Sequence, residues 1–164
     1  MPYRSTKTYG HEVGLSCAFR QWRADSHCNL IHGYALSFKF TFEAEELDVR
    51  NWVVDFGGLK SLKGMLEDTF DHTLLVAADD PKKDVLLDLD RVHGIAKVVE
   101  VERAGCEATA KLAFDVCQQW LKDAGYGDRV DLVSVEVKEH GANGAEYHRP
   151  VNPSISIVNN ISAK

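Results

Sequence analysis

The chain has 164 residues, 45% hydrophobic and 27% charged, with a formal net charge of −6, a composition that suits a folded globular domain with its own core and excludes a disordered one. Acidic and basic residues are interspersed, which argues against nucleic acid as the main partner, because phosphate contacts need a clustered basic surface. No apolar run reaches the roughly 20 residues of a membrane span and the opening MPYRSTKTYGHEVG lacks the apolar stretch of a signal peptide, so the expectation is one cytoplasmic domain over residues 1–164 with no membrane partner.

In chain order, EVGLSCAF (12–19) alternates Val13, Leu15 and Cys17 against polar or small neighbours, which predicts a half-buried strand. ALSFKFTFEA (35–44) repeats the pattern with Leu36, Phe38, Phe40 and Phe42 on one face, so the intervening RQWRADSHCNLIHGY reads as a long polar loop. FGGLKSLKGMLEDTF then spaces Phe56, Leu59, Leu62, Leu66 and Phe70 as a helix, with Asp55 as its N-cap. Residues 79–105 read mostly as a connection opened by Pro81, with IAKVVEV (95–101) as a short edge strand. CEATAKLAFDVCQQWLKDAG (106–125) is a second amphipathic helix, striped by Ala110, Phe114, Cys117 and Leu121 and stopped at Gly125. VDLVSVEVKE (130–139) alternates as a strand, and AEYHRP (145–150) and SISIVNN (154–160) supply a further strand and an extension. This order predicts an α+β fold with helices on one face of an antiparallel sheet.

Four cysteines, Cys17, Cys28, Cys106 and Cys117, form no CxxC, and a reducing compartment makes a disulfide framework unexpected. Cys117 reads as a small buried hydrophobe, whereas Cys17 and Cys28 stand in polar, histidine-bearing surroundings. Candidate chemistry gathers at element ends, where scaffolds commonly present reactive groups: Cys17, then Cys28 and His32, then Asp71-His72, then Glu139. Each alone also reads plainly, Asp71-His72 as a solvated turn and Glu139-His140 as a strand end before a Gly/Asn turn.

Taken together, CNLIHGY, WVVDFGGLK, FDH, GCEATA and VSVEVKEHGANGAEY resemble, in order and interval, the 6-pyruvoyltetrahydropterin synthase and 6-carboxytetrahydropterin synthase family of the tunnelling fold, over roughly residues 11 to 148. The resemblance implies a four-stranded antiparallel sheet with two helices on one face, closing into a barrel with copies of itself; the family's usual state is a homohexamer with sites between subunits. It implies that Cys28 is a catalytic acid/base, that His72 oriented by Asp71 is the second, and that Glu139 anchors a pterin. A carboxylate bonded to one imidazole nitrogen fixes the tautomer and makes the other nitrogen more basic, and a two-oxygen acceptor suits the donor pair of a pterin ring. The implied substrate is 7,8-dihydroneopterin triphosphate, in a lyase reaction serving 7-deazaguanine compounds such as queuosine. Arg20, Arg23 and Lys39 are the cations nearby in sequence for the triphosphate.

The family's zinc is held by three histidines, and here His32 matches one while Tyr34 and Cys17 stand at or near the other two. Three outcomes stay open: zinc on Cys17, His32 and Tyr34; a site rebuilt from Cys17, Cys28 and His32, or by recruiting His27 or His11; or no metal. Two functions stay open beside the lyase, a non-catalytic or divergent pterin- or purine-binding protein on the same fold, and an assembly protein using its sheet edges alone.

Overall fold

The Phe38, Phe40 and Phe42 alternation becomes the centre of the sheet. The computed structural model describes residues 1–150, in which the strands are β1 (Tyr3–Tyr9), β2 (Leu15–Phe19), β3 (His32–Ala44), β4 (Thr73–Ala77), β5 (Lys97–Val101), β6 (Asp131–Lys138) and β7 (Gly144–His148). The helices are α1 (Lys60–Phe70), α2 (Lys83–Arg91) and α3 (Cys106–Asp123). At 13 residues β3 serves several partners. Its first half pairs antiparallel with β2, from Phe19↔His32 to Leu15↔Leu36. Its second half pairs with β1 on one edge and β6 on the other, and β7 continues from β6. On the far side of β2, β4 and β5 add in parallel.

The four strands expected from the sequence, β2, β3, β6 and β7, do pair antiparallel in that order, but as part of a larger, seven-stranded mixed sheet that β1, β4 and β5 complete. A third helix, α2, stands where the sequence pattern predicts only a connection, and it covers the opposite face of the sheet from α1 and α3. There Leu86 packs with Leu74 and Val76, while Leu62, Phe70 and Phe114 share the main core with Cys17 and Phe19. Two strands went unread for physical reasons. The five residues of β4, TLLVA, are all buried, so the strand shows no alternation. In β1 only Tyr9 is buried, so it carries almost no apolar pattern.

The helices differ from expectation mainly at their starts. Helix α1 begins at Lys60, not Phe56, which is 54% exposed. Asp55 caps the tight turn ahead of the helix, its Oδ1 accepting the Gly57 N–H at 2.8 Å. Leu62, Leu66 and Phe70 point inward as predicted, and Phe70 meets Phe38 at a ring separation of 4.8 Å. Burying such a side chain is worth about 1.5–3 kcal/mol, so this contact is a principal tie between α1 and the sheet. In α3 the predicted stripe is buried, and Gly125, at φ 77°, follows its C-cap as the left-handed stop. IAKVVEV supplies the edge strand β5, and AEYHRP supplies β7; SISIVNN lies outside the described residues. No described helix is long and apolar enough to cross a membrane.

Candidate active site

The site grows from the mouth of the β2–β3 hairpin. Directly opposed residues in an antiparallel pair share a face, so the register Cys17↔Tyr34 and Phe19↔His32 puts all four side chains on one side. The rings form a cluster: Phe19 and His32 at 5.1 Å, His32 and Tyr34 at 5.8 Å edge to face, and Tyr34 and His140 at 6.0 Å. His32 and Tyr34 belong to β3 rather than to the loop, which closes three residues earlier than the sequence pattern indicates. The His32 Nδ1–H donates to the Leu30 carbonyl at 2.7 Å, which leaves Nε2 as the ring's free lone pair.

The loop between the strands folds Cys28 back towards this mouth. Cys28 sits in a 3-10 turn, His27–Asn29, whose N-cap Ser26 accepts the Cys28 N–H through its hydroxyl at 3.3 Å. The Gln21 N–H donates to the Cys28 carbonyl at 2.9 Å, tying the turn to the end of β2. Beside it opens a cavity of about 670 Å³ lined by Arg20, Arg23, Cys28, Ala77, Asp79 and Arg103. Arg23 is already paired with Asp79 at 2.9 Å and Arg20 with buried Asp80 at 3.2 Å. Lys39 lies away from this cavity, on the second half of β3 between Thr8 and Glu136.

Glu139 follows β6, its N–H donating to the Asn143 carbonyl across the turn into β7. Burial, and after it the charges of Glu139, Cys28 and Cys106, push the Tyr34 phenol above its usual range, so it stays protonated at neutral pH. His32 and Tyr34 thus share the hairpin mouth, and His140, next to Glu139 after β6, packs its ring on the far side of Tyr34.

Asp71 and His72 do not join them. They sit between α1 and β4, where the Asp71 carboxylate accepts the His72 Nδ1–H at 2.8 Å and the Ser16 N–H at 3.4 Å. Ser16 is near the start of β2, whereas Cys28 is tied to Gln21 beyond its end. At ~3.3 Å per extended residue the strand from Ser16 to Phe19 alone sets the two tethers about 10 Å apart within one chain. His72 holds φ at 51°, a strained value for a residue with a Cβ, and its side chain is 86% exposed. Burial would raise the Asp71 carboxyl, but the bonds from His72 and Ser16 outweigh it and hold the group below the usual carboxylate range. A depressed carboxyl contributes stability above its unfolded pKa of about 4 and loses it as pH falls through the lower folded value. Urea titrations below pH 4 should therefore show wild type losing more stability on acidification than Asp71→Asn; equal losses would contradict the bonded geometry.

The cysteines divide cleanly. Burial pushes the Cys17 thiol up to about 12, and burial with nearby Glu139 and Glu107 pushes Cys106 up to about 11. Cys117 is raised by burial as well. Only Cys28 escapes full burial. Since the thiolate is the reactive form, brief iodoacetamide treatment should alkylate Cys28 alone, read by peptide mass; preferential labelling of Cys17 or Cys106 would contradict this burial pattern. Sequence reasoning missed Phe19, His140 and Arg103. Phe19 could have been found from the alternation that singled out Cys17, being two residues further along the same face.

An antiparallel sheet centred on β3, with α1 and α3 packed on one face and a cysteine turn and histidine-bearing hairpin at its edge, is the architecture of a tunnelling-fold protein. The sequence matches the 6-pyruvoyl tetrahydropterin synthase family over residues 10–150 and belongs to it. It is 29% identical over 160 residues to a 6-carboxy-5,6,7,8-tetrahydropterin synthase of Aquifex aeolicus, covering 90% of this chain and 98% of that one. Its fold is similar to an uncharacterised protein of Wolinella succinogenes, with TM-score 0.73 and 20% identity over 92% of this chain and 99% of that one. It is similar also to the Plasmodium vivax 6-pyruvoyl tetrahydropterin synthase, with TM-score 0.62 and 12% identity over the same shares.

The zinc that the family resemblance implies does not fit the residues present. Phe19, across from His32, has no donor atom; Tyr34 is a protonated phenol, a poor ligand; Cys17 is 1% exposed with its thiol strongly protonated. Among the described residues no group of three His, Cys, Asp or Glu side chains converges to hold an ion. Of the two further candidates, His11 bonds the Ala35 carbonyl at the opposite end of the hairpin, and His27, which opens the 3-10 turn of Cys28, joins no such group either.

Proposed function

We propose that this protein is a pterin-modifying lyase of the 6-carboxytetrahydropterin synthase type, acting on 7,8-dihydroneopterin triphosphate in the cytoplasm as a step towards 7-deazaguanine compounds such as queuosine. The observation that carries this reading is the Asp71–His72 pair. A carboxylate fixes the imidazole by its Nδ1–H, leaving Nε2 free, on a strained and exposed backbone position. A protein that only binds has no use for such a proton carrier.

In this reading Cys28 and His72 take and return protons on the substrate side chain, while the Glu139 carboxylate accepts the pterin amino and ring N–H groups. Because Cys28 and His72 are far apart in one chain, the working site takes them from two copies, in a homo-oligomer that the family resemblance makes a hexamer. The Arg-lined cavity beside Cys28 suits the triphosphate, with Arg103 the guanidinium least committed there; its nearest carboxylate, Glu102, is 3.7 Å away on the surface.

The test is consumption of 7,8-dihydroneopterin triphosphate by the purified full-length protein. Asp71→Asn should lower kcat by about 10²-fold or more, the usual share of a positioned acid/base, and Glu139→Gln should act mainly on KM. The altered metal residues favour a second reading, a pterin- or purine-binding protein. Wild type that binds pterin through Glu139 but leaves the triphosphate unchanged would establish that reading and end the first.

A further inference from the structure

Three rings, Phe19, His32 and Tyr34, meet at the hairpin mouth with centroids 5.1 to 6.4 Å apart, and only one of them carries a metal-binding atom. Phe19 and His32 are cross-strand partners. Tyr34, two residues beyond His32, points to the same face and presents its ring edge to face at 5.8 Å. His32 is the one member with a metal-binding atom ready, since its Nδ1–H is engaged by Leu30 and Nε2 is free. Phe19 is fully buried carbon. His140 extends the wall from the far side of Tyr34.

We propose that the mouth of the β2–β3 hairpin is an aromatic, metal-free site, in which the Tyr34 hydroxyl is the polar group offered to a bound planar heterocycle. Aromatic faces and edges pack against flat rings, and a phenol carries one O–H that can point at a ligand oxygen or ring nitrogen. One imidazole cannot hold zinc against water, because structural and catalytic sites use three or four protein ligands. The identity of the heterocycle rests on the pterin reading; the absence of metal does not.

Two measurements on the full-length protein separate these parts. Zinc content after loading and gel filtration should be near zero for wild type. It should reach about one ion per chain in Phe19→His/Tyr34→His, whose three histidines would share that face. Near-stoichiometric zinc in wild type that disappears in His32→Ala would overturn the proposal, and the wild-type value decides even where the double variant fails to fold. A folded double variant that takes up no zinc would show that the three positions do not face a common point, and would overturn it too. Pterin binding, followed by ligand fluorescence, should be unchanged by EDTA and weakened about 5- to 10-fold in Tyr34→Phe, the factor one neutral hydrogen bond carries. Unchanged affinity in Tyr34→Phe would remove the role given to its hydroxyl. Failure of wild type to bind pterin at all would remove that role together with the pterin reading, while zinc content would still judge the metal-free mouth.

Discussion

Co-assembled subunits carrying Cys28→Ala and His72→Ala should recover about one quarter of wild-type turnover, although each variant alone is inactive. The argument starts from the strand β2. Asp71 is bonded to Ser16 near its start and Cys28 is tied to Gln21 beyond its end. The Cys17↔Thr73 and Phe19↔Leu75 pairs hold β4 parallel to β2, so Asp71 and His72 remain at the Ser16 end. The strand from Ser16 to Phe19 alone holds the two tethers about 10 Å apart, with Gln21 further on still. A proton relay that needs both must join one chain's cysteine to another chain's histidine. In an equal, randomly assembled mixture, half the chains can give an intact Cys28 and half an intact His72, so ~1/4 of the sites are complete under a symmetric assembly. Wild type mixed with the Cys28→Ala/His72→Ala double variant gives the cross-check. Sites shared between chains should again yield about one quarter, whereas sites within one chain would yield about one half. Recovery of no activity in the first mixture and one half in the second would place both groups in one chain.

The sequence carried the parts of this fold that alternate strongly. The Leu36 to Phe42 run, the stripe from Ala110 to Leu121 and the strand after Val130 were legible because each faces a core on one side and water on the other. What escaped lacked that contrast. TLLVA is buried on both faces and so has no period, while YRSTKTY has almost no buried side to report. At the site, the residues with distinctive chemistry, Cys28, His32, Asp71, His72 and Glu139, were legible by type. Their grouping was not, because it depends on strand register. Phe19 rather than Cys17 faces His32 because β3 begins at His32 and pairs with the last residue of β2. One residue of slip would have sent every side chain to the other face.

Register at the mouth rests on Gly33, and Gly33→Ala should destabilise the protein by about 1–3 kcal/mol, the cost of overpacking a filled site. Gly33 lies opposite Ala18. A Cβ there would stand 2.7 Å from the Cys17 carbonyl oxygen and 3.1 Å from the Ala18 Cα and Cβ. Two of these contacts are backbone, so no side-chain rotation relieves them, and β2 cannot retreat freely because β4 holds its other edge. The strands must part at this point, which widens the Phe19–His32 contact and loosens Tyr34. Thermal unfolding should register a loss of several degrees, at about 2–4 °C per kcal/mol for a chain of this size. Gly64→Ala is the matched control: it sits in α1 with nothing within 4 Å of an added Cβ. It should stabilise by about 0.5–1 kcal/mol through helix propensity alone. Pterin affinity should fall in Gly33→Ala and hold in Gly64→Ala. A Gly33→Ala protein as stable as wild type, with affinity intact, would mean that the hairpin mouth tolerates a wider spacing than its contacts indicate. The glycine between His32 and Tyr34 would then have no part in setting the site.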